Sequence, residues 1–186
     1  MDINVEDLPF QDFASTRYSM TVKVDVSETY KFAKKENLSF FNLTAGAILE
    51  GLNEVPELKR RIVNNQVIEF DKLNGVTPIL QEDYSVRDIE FSPMSDFKDI
   101  FSWNDYLENQ KVNGETYDVP PSLRDNSPTA NLSCLKWIDF DAMEHMVYNP
   151  KFAIPVIVWG KMVDGKVPLS YLLAICCFWI SFSLIL

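Results

Sequence analysis

Arg17-Tyr18-Ser19-Met20-Thr21-Val22-Lys23-Val24-Asp25-Val26 alternates cleanly. Tyr18, Met20, Val22, Val24 and Val26 take one face, and Ser19, Thr21, Lys23 and Asp25 take the other. A two-residue period over this length predicts a half-buried strand, because successive side chains leave a strand on opposite sides. Outward from it the pattern changes repeatedly. Ser27 reads as the cap of a short helix through Lys35. Asn42 or Thr44 can cap a second helix that turns Leu43, Ala47, Ile48 and Leu52 inward and ends near Pro56. Val63 to Val67, with Asn64 and Asn65 between, predicts a tight hairpin, since asparagine tolerates positive φ.

Further along, Val76 to Leu80 predicts another strand. Ser95 to Lys111 predicts a helix whose Phe97, Ile100, Phe101 and Leu107 share a face. Residues 113–131 are rich in turn formers: Asn113-Gly114, Pro120-Pro121 and Asn126-Ser127-Pro128. Leu132 to Phe140 and Ala153 to Met162 read as strands, the second turning through Asp164-Gly165 into Val167-Pro168-Leu169-Ser170. Strands and helices mix without regular alternation. The expected fold class is therefore α+β, a two-layer sandwich with a mixed sheet and helices packed on it.

The chain of 186 residues suits one domain, and its 47% hydrophobic content suffices for a core. A formal net charge of -10, with no basic stripe, argues against nucleic-acid binding. The three cysteines are Cys134 and the adjacent Cys176 and Cys177. They lack framework spacing and read as buried thiols of a reducing, cytoplasmic compartment. One histidine and no Cys-x-x-Cys pair leave little to hold zinc, and no metal is expected. Met1-Asp2-Ile3-Asn4 lacks the basic and apolar regions of a signal peptide.

Several of these segments, in order, resemble the chloramphenicol acetyltransferase family of the coenzyme-A-dependent acyltransferases. Tyr18 to Val26 is similar to the family's N-terminal strand. Phe40-Phe41-Asn42 stands where its long helix starts. Val55-Pro56-Glu57-Leu58-Lys59-Arg60 stands before its hairpin, and Phe70-Asp71-Lys72 after it. Leu132-Ser133-Cys134-Leu135-Lys136-Trp137 resembles a Ser-x-x-Pro-Trp strand. Phe152-Ala153-Ile154-Pro155 with Gly160-Lys161 resembles Phe-Ala-Pro…Gly-Lys, and Val167-Pro168-Leu169-Ser170 resembles the opening of the catalytic strand. The likeness runs over about residues 8–170.

The resemblance implies a homotrimer with active sites at subunit boundaries. It implies acetyl transfer from acetyl-coenzyme A to a hydroxyl of chloramphenicol or a similar small acceptor. The family's base is a histidine in a His-His-x-x-x-Asp-Gly motif, aided by hydroxyls that stabilise the oxyanion. It also implies that Tyr18, Phe40 and Phe152 line the acceptor pocket, near the start of the Leu169 strand. Val158 takes a place where relatives carry an oxyanion-stabilising threonine.

Continued without a gap from Ser170, the family's histidines fall on Ala174 and Ile175, its aspartate on Trp179 and its glycine on Ile180. None can take a proton. Residues 1–170 thus read as an acyltransferase-like domain, and 171–186 as an apolar tail in place of the catalytic motif. The tail has three readings: part of the fold, a membrane anchor, or frame-altered sequence. Codons for Cys177 to Phe182 shifted by one base can spell Val-Phe-Gly-Phe-His, close to the family's Asp-Gly-Phe-His ending. On this reading the copy is inactive. The remaining histidine, His145, reads as a loop residue among acidic neighbours. Asp139 and Asp141 read as solvent-facing strand residues, and Ser133 matches no nucleophile motif.

Overall fold

The computed structural model describes residues 17–64, 66–120, 127–145 and 154–174. A six-stranded mixed sheet is built from β1 (Arg17–Asp25), β4 (Asn74–Leu80), β5 (Val86–Phe91), β6 (Thr129–Leu135), β7 (Val156–Gly160) and β8 (Lys166–Ala174). Its order is β1-β8-β7-β6-β4-β5. The central β4, β6 and β7 run parallel, and β5, β8 and β1 add antiparallel. A separate hairpin joins β2 (Arg60–Val63) to β3 (Gln66–Glu69). The helices are α1 (Ser27–Glu36), α2 (Phe40–Asn53) and α3 (Ile100–Asn113). The architecture is the expected α+β one.

One face of the sheet makes the core. Ala130, Leu132, Ile157, Trp159 and Leu173 point toward Ala45, Leu49 and Leu52 of α2 and Trp103 and Leu107 of α3. Trp159 stacks on Phe41 with ring centroids 5.4 Å apart. β6 and β7 are buried on this side almost without interruption, as parallel central strands require.

Local chemistry explains where elements begin and end. The cap of α2 is Ser39, whose hydroxyl accepts from the Asn42 amide at 3.3 Å. Asn42 and Thr44, the expected caps, lie inside the helix and are buried. Asn42 Nδ2 donates to Asn104 Oδ1 on α3 at 3.0 Å, and the Thr44 hydroxyl bonds back to the Phe40 carbonyl. Asp99 and Ser102 form a capping box that starts α3 five residues later than expected. Ser27 is the first helical residue rather than the cap of α1. Asp25 Oδ1 accepts its amide.

Two stretches differ more. Val86 to Phe91 forms a strand where none was expected, because its Asp88 and Glu90 mask the alternation of Ile89 and Phe91. The strand expected from Leu132 to Phe140 starts earlier, at Thr129, and stops at Leu135. Beyond it the chain turns, with the Ile138 amide on the Leu135 carbonyl. The Asp164-Gly165 turn holds as expected, both residues at positive φ (50° and 78°). It returns the chain into β8.

Candidate active site

β8 organises the region. It lies between β1 and β7, with Thr21 and Val158 as the register partners of Ser170. Leu169, Tyr171 and Leu173 face the helices. Ser170 and Leu172 face the helix-free side, together with Thr21 and Val158.

On the helix side, the sheet is only partly covered. An apolar groove of about 450 Å³ runs between α2 and strands β1 and β8. Tyr18, Tyr171, Leu169 and Leu173 line it, with Ile48 and Val55 opposite. Tyr18 meets Tyr171 edge-on at 6.5 Å, and the Tyr171 hydroxyl donates to Met20 Sδ. Burial, and then the neighbouring Tyr171, push the Tyr18 phenol above its ordinary pKa, so it is a neutral donor. Met20, Val22 and Val24 continue this apolar face and stay exposed.

The residues singled out from the sequence are placed separately. Tyr18 lines the groove at the Leu173 end of β8, its register partner. Phe40 sits at the start of α2, edge-on to Tyr30 at 5.3 Å. About 12 Å of helix separates it from Ile48 in the groove. Val158 is on the opposite face of the sheet, beside Ser170. Phe152, Ile175 and Trp179 lie outside the described residues.

On the helix-free side is a cluster the sequence did not reveal. His145 is buried, and its Nε2 lies 2.8 Å from the Oγ of Ser170, which is itself completely inaccessible. The Thr21 hydroxyl donates to the same Ser170 oxygen at 3.1 Å. Burial, and secondarily Arg17, hold the His145 imidazole below its ordinary pKa, so it is neutral near pH 7. No local signal announces this pairing. His145 and Ser170 are 25 residues apart and meet only when the chain folds across the sheet.

The segment that delivers His145 also places the two aspartates. They stand on a non-strand stretch, and Lys23 of β1 is ion-paired with Asp139 and lies 3.9 Å from Asp141. Cys134 instead packs against the core on the helix side of the sheet, where burial pushes its thiol up to about 11, leaving an unreactive protonated group. Among the described residues no group of three or more His, Cys, Asp and Glu could hold a metal ion. No helix among them is long and apolar enough to cross a membrane.

A larger hollow, about 560 Å³, lies beyond the C-terminus of α3 and is lined by Glu90, Glu115 and Asp118. Its acidic rim would repel the phosphates of a nucleotide-bearing substrate.

The arrangement is that of known acyltransferases. A solved chloramphenicol acetyltransferase superposes with a TM-score of 0.77 at 19% identity, covering 95% of this chain and 90% of that one. The dihydrolipoamide acetyltransferase of Azotobacter vinelandii matches with a TM-score of 0.60 at 15% identity, over 94% of this chain and 78% of that one. A truncated catalytic core of the 2-oxoacid dehydrogenase complex from Thermoplasma acidophilum matches with a TM-score of 0.60 at 13% identity, over 92% and 79%. No curated protein sequence matches the chain. The family model described as chloramphenicol acetyltransferase matches residues 7–176, most of the length, and with this sheet order and strand β8 in place the chain belongs to the chloramphenicol acetyltransferase family.

Proposed function

We propose that this chain carries the scaffold for acetyl transfer from acetyl-coenzyme A to a hydroxyl of a small amphipathic acceptor of the chloramphenicol type, and that as written it does not turn over. The supporting observation is β8. It runs in register to Ala174 between β1 and β7, with Tyr18 and Tyr171 flanking its end. A base for the acceptor hydroxyl belongs just beyond that point, where the sequence continues with Ile175 and reaches Trp179. Neither accepts a proton.

His145 does not substitute. Its Nε2 is occupied by Ser170, and it lies on the opposite face of the sheet from Tyr18. Val158, in the position where relatives use a threonine, offers no donor to an oxyanion. Residues 1–170 on this reading are the acyltransferase-like unit, and residues 171–186 stand in place of the catalytic motif. The working form is a cytoplasmic homotrimer, with Phe40 and Phe152 completing the site at a subunit boundary.

The test is release of coenzyme A thiol from acetyl-coenzyme A by the purified full chain, with and without chloramphenicol. Loss of a general base typically slows such transfer ~10²–10⁴-fold, so no acceptor-dependent release above background is expected. Clear chloramphenicol-dependent turnover overturns the reading of an absent base. Chloramphenicol binding without turnover supports a retained pocket, and is equally what a non-enzymatic binding module of this fold would do.

A further inference from the structure

Residues 136–145 cross the helix-free face of the sheet and are attached to it at four places. The Ile138 carbonyl accepts from the Lys161 amide at 2.7 Å. Phe140 packs over Gly160, where an added Cβ would meet its ring at 2.9 Å. Lys23 holds Asp139 and stands near Asp141. At the far end, His145 closes onto Ser170. We propose that this segment is a pH-sensitive strap, latched over the sheet by neutral His145 and released by mild acidification.

The hydrogen-bond bookkeeping dictates the direction. The Thr21 hydroxyl donates to Ser170 Oγ, so the hydrogen of Ser170 points to His145 Nε2. The latch therefore needs an unprotonated Nε2, which is the neutral Nδ1–H tautomer. Protonation makes Nε2 a donor. Ser170 Oγ then receives two donors, and its own hydrogen is left facing a fully buried surround.

The charges nearby act in the same direction. Arg17 of β1 raises the cost of an imidazolium. β8 and β7 present Ser170, Leu172, Val156 and Val158 to this face, none of which carries charge. Lys23 is already engaged with Asp139 and Asp141, and Glu144 is exposed.

Because the folded imidazole titrates below its ordinary value, the folded chain binds fewer protons there than the unfolded one. The latch is therefore complete above about pH 6.5, the unperturbed histidine value, and is lost as pH falls through the lower folded pKa. Opening would uncover Ser170 and Val158.

The chain contains a single histidine, so its titration needs no assignment. Slow deuterium exchange at the imidazole C2 position, read by mass spectrometry on the full chain, locates the His145 midpoint. Amide exchange of the peptide spanning residues 136–145, corrected for intrinsic rates between pH 7.5 and 5, reads the strap. Strap exchange is expected to rise about tenfold across the same midpoint, while β6 stays protected. H145Q should abolish that rise, and S170A should leave the strap open already at pH 7.5. A strap indifferent to pH across the histidine midpoint, or opening at a different pH, overturns the proposal on the wild-type chain alone. An unchanged pH dependence in H145Q overturns it as well.

Discussion

Thr77 sits on the helix-facing side of β4, almost inaccessible, and its hydroxyl has no partner among the described residues. A buried hydroxyl without a partner forfeits its hydration for nothing, a cost of about 1–3 kcal/mol. Valine has the same branched shape without the oxygen and suits a strand better than most residues. T77V is therefore expected to raise stability by roughly 1 kcal/mol, read as a higher denaturant midpoint with unchanged slope. A lower midpoint would mean the hydroxyl has a partner after all. Arg61 is the opposite case: a buried guanidinium with its partners in view. It donates to the carbonyls of Leu58, Arg60 and Thr129, tying the β2–β3 hairpin to the start of β6. Neither residue could be distinguished from an ordinary surface threonine or arginine in the linear chain. What decides each is which carbonyls the tertiary structure brings within 3 Å.

Among the elements, α2 carries two glycines whose circumstances are opposite. A Cβ on Gly46 would stand 2.7 Å from the Trp103 ring and 2.8 Å from Met94 Sδ, where α2 crosses α3. Trp103 is completely buried, and its indole donates to the Ser92 carbonyl at 2.9 Å, so it cannot move aside. One turn further on, Gly51 borders the open groove, and a Cβ there meets nothing within 4 Å. Alanine gains up to about 1 kcal/mol of helix propensity at either position. At Gly46 the overpacking costs roughly 1–3 kcal/mol and prevails. G46A should therefore lower the melting temperature and G51A should raise it. Equal shifts of the same sign would show that α2 and α3 do not cross at Gly46. The hydrophobic period of α2 is legible in the sequence, but both glycines read alike in it. Only the neighbouring helix tells them apart.

For the molecule as a whole, the incompletely covered face is decisive. Met20 is half exposed, and Val22 and Val24 are over a third exposed, continuing the groove along β1. An apolar face of this extent on a soluble protein invites association unless something covers it. Residues 175–186 contain no charged side chain, and so have no polar face to turn to water. The full chain is expected to be poorly soluble, eluting largely as aggregate in size exclusion. Deletion after Ser170 should not help, since residues 171–174 pair with β1 on one side and Val156 and Ile157 of β7 pair on the other. Replacing the segment after Ser170 with an in-frame family ending should restore a soluble species. A monodisperse full-length chain would count against this account.

Most of the elements along the chain could be read in advance because they rest on local rules. Alternation from Tyr18 to Val26 follows from side-chain period and the Asp164-Gly165 turn from positive φ, which a few neighbouring residues determine; the Pro168-Leu169-Ser170 opening of β8 is legible through its resemblance to the family. That residues 171–186 contain no histidine is equally a property of the linear chain. Elements whose signal is diluted by charge were not legible, as with Asp88 and Glu90 in β5. The His145–Ser170–Thr21 cluster was wholly invisible. It draws on three segments, and its strength comes from exclusion of water at a point where β1, β8 and the 136–145 segment meet. Burial is a property of the assembled fold, so a lone histidine among acids became a buried, neutral latch only through tertiary structure.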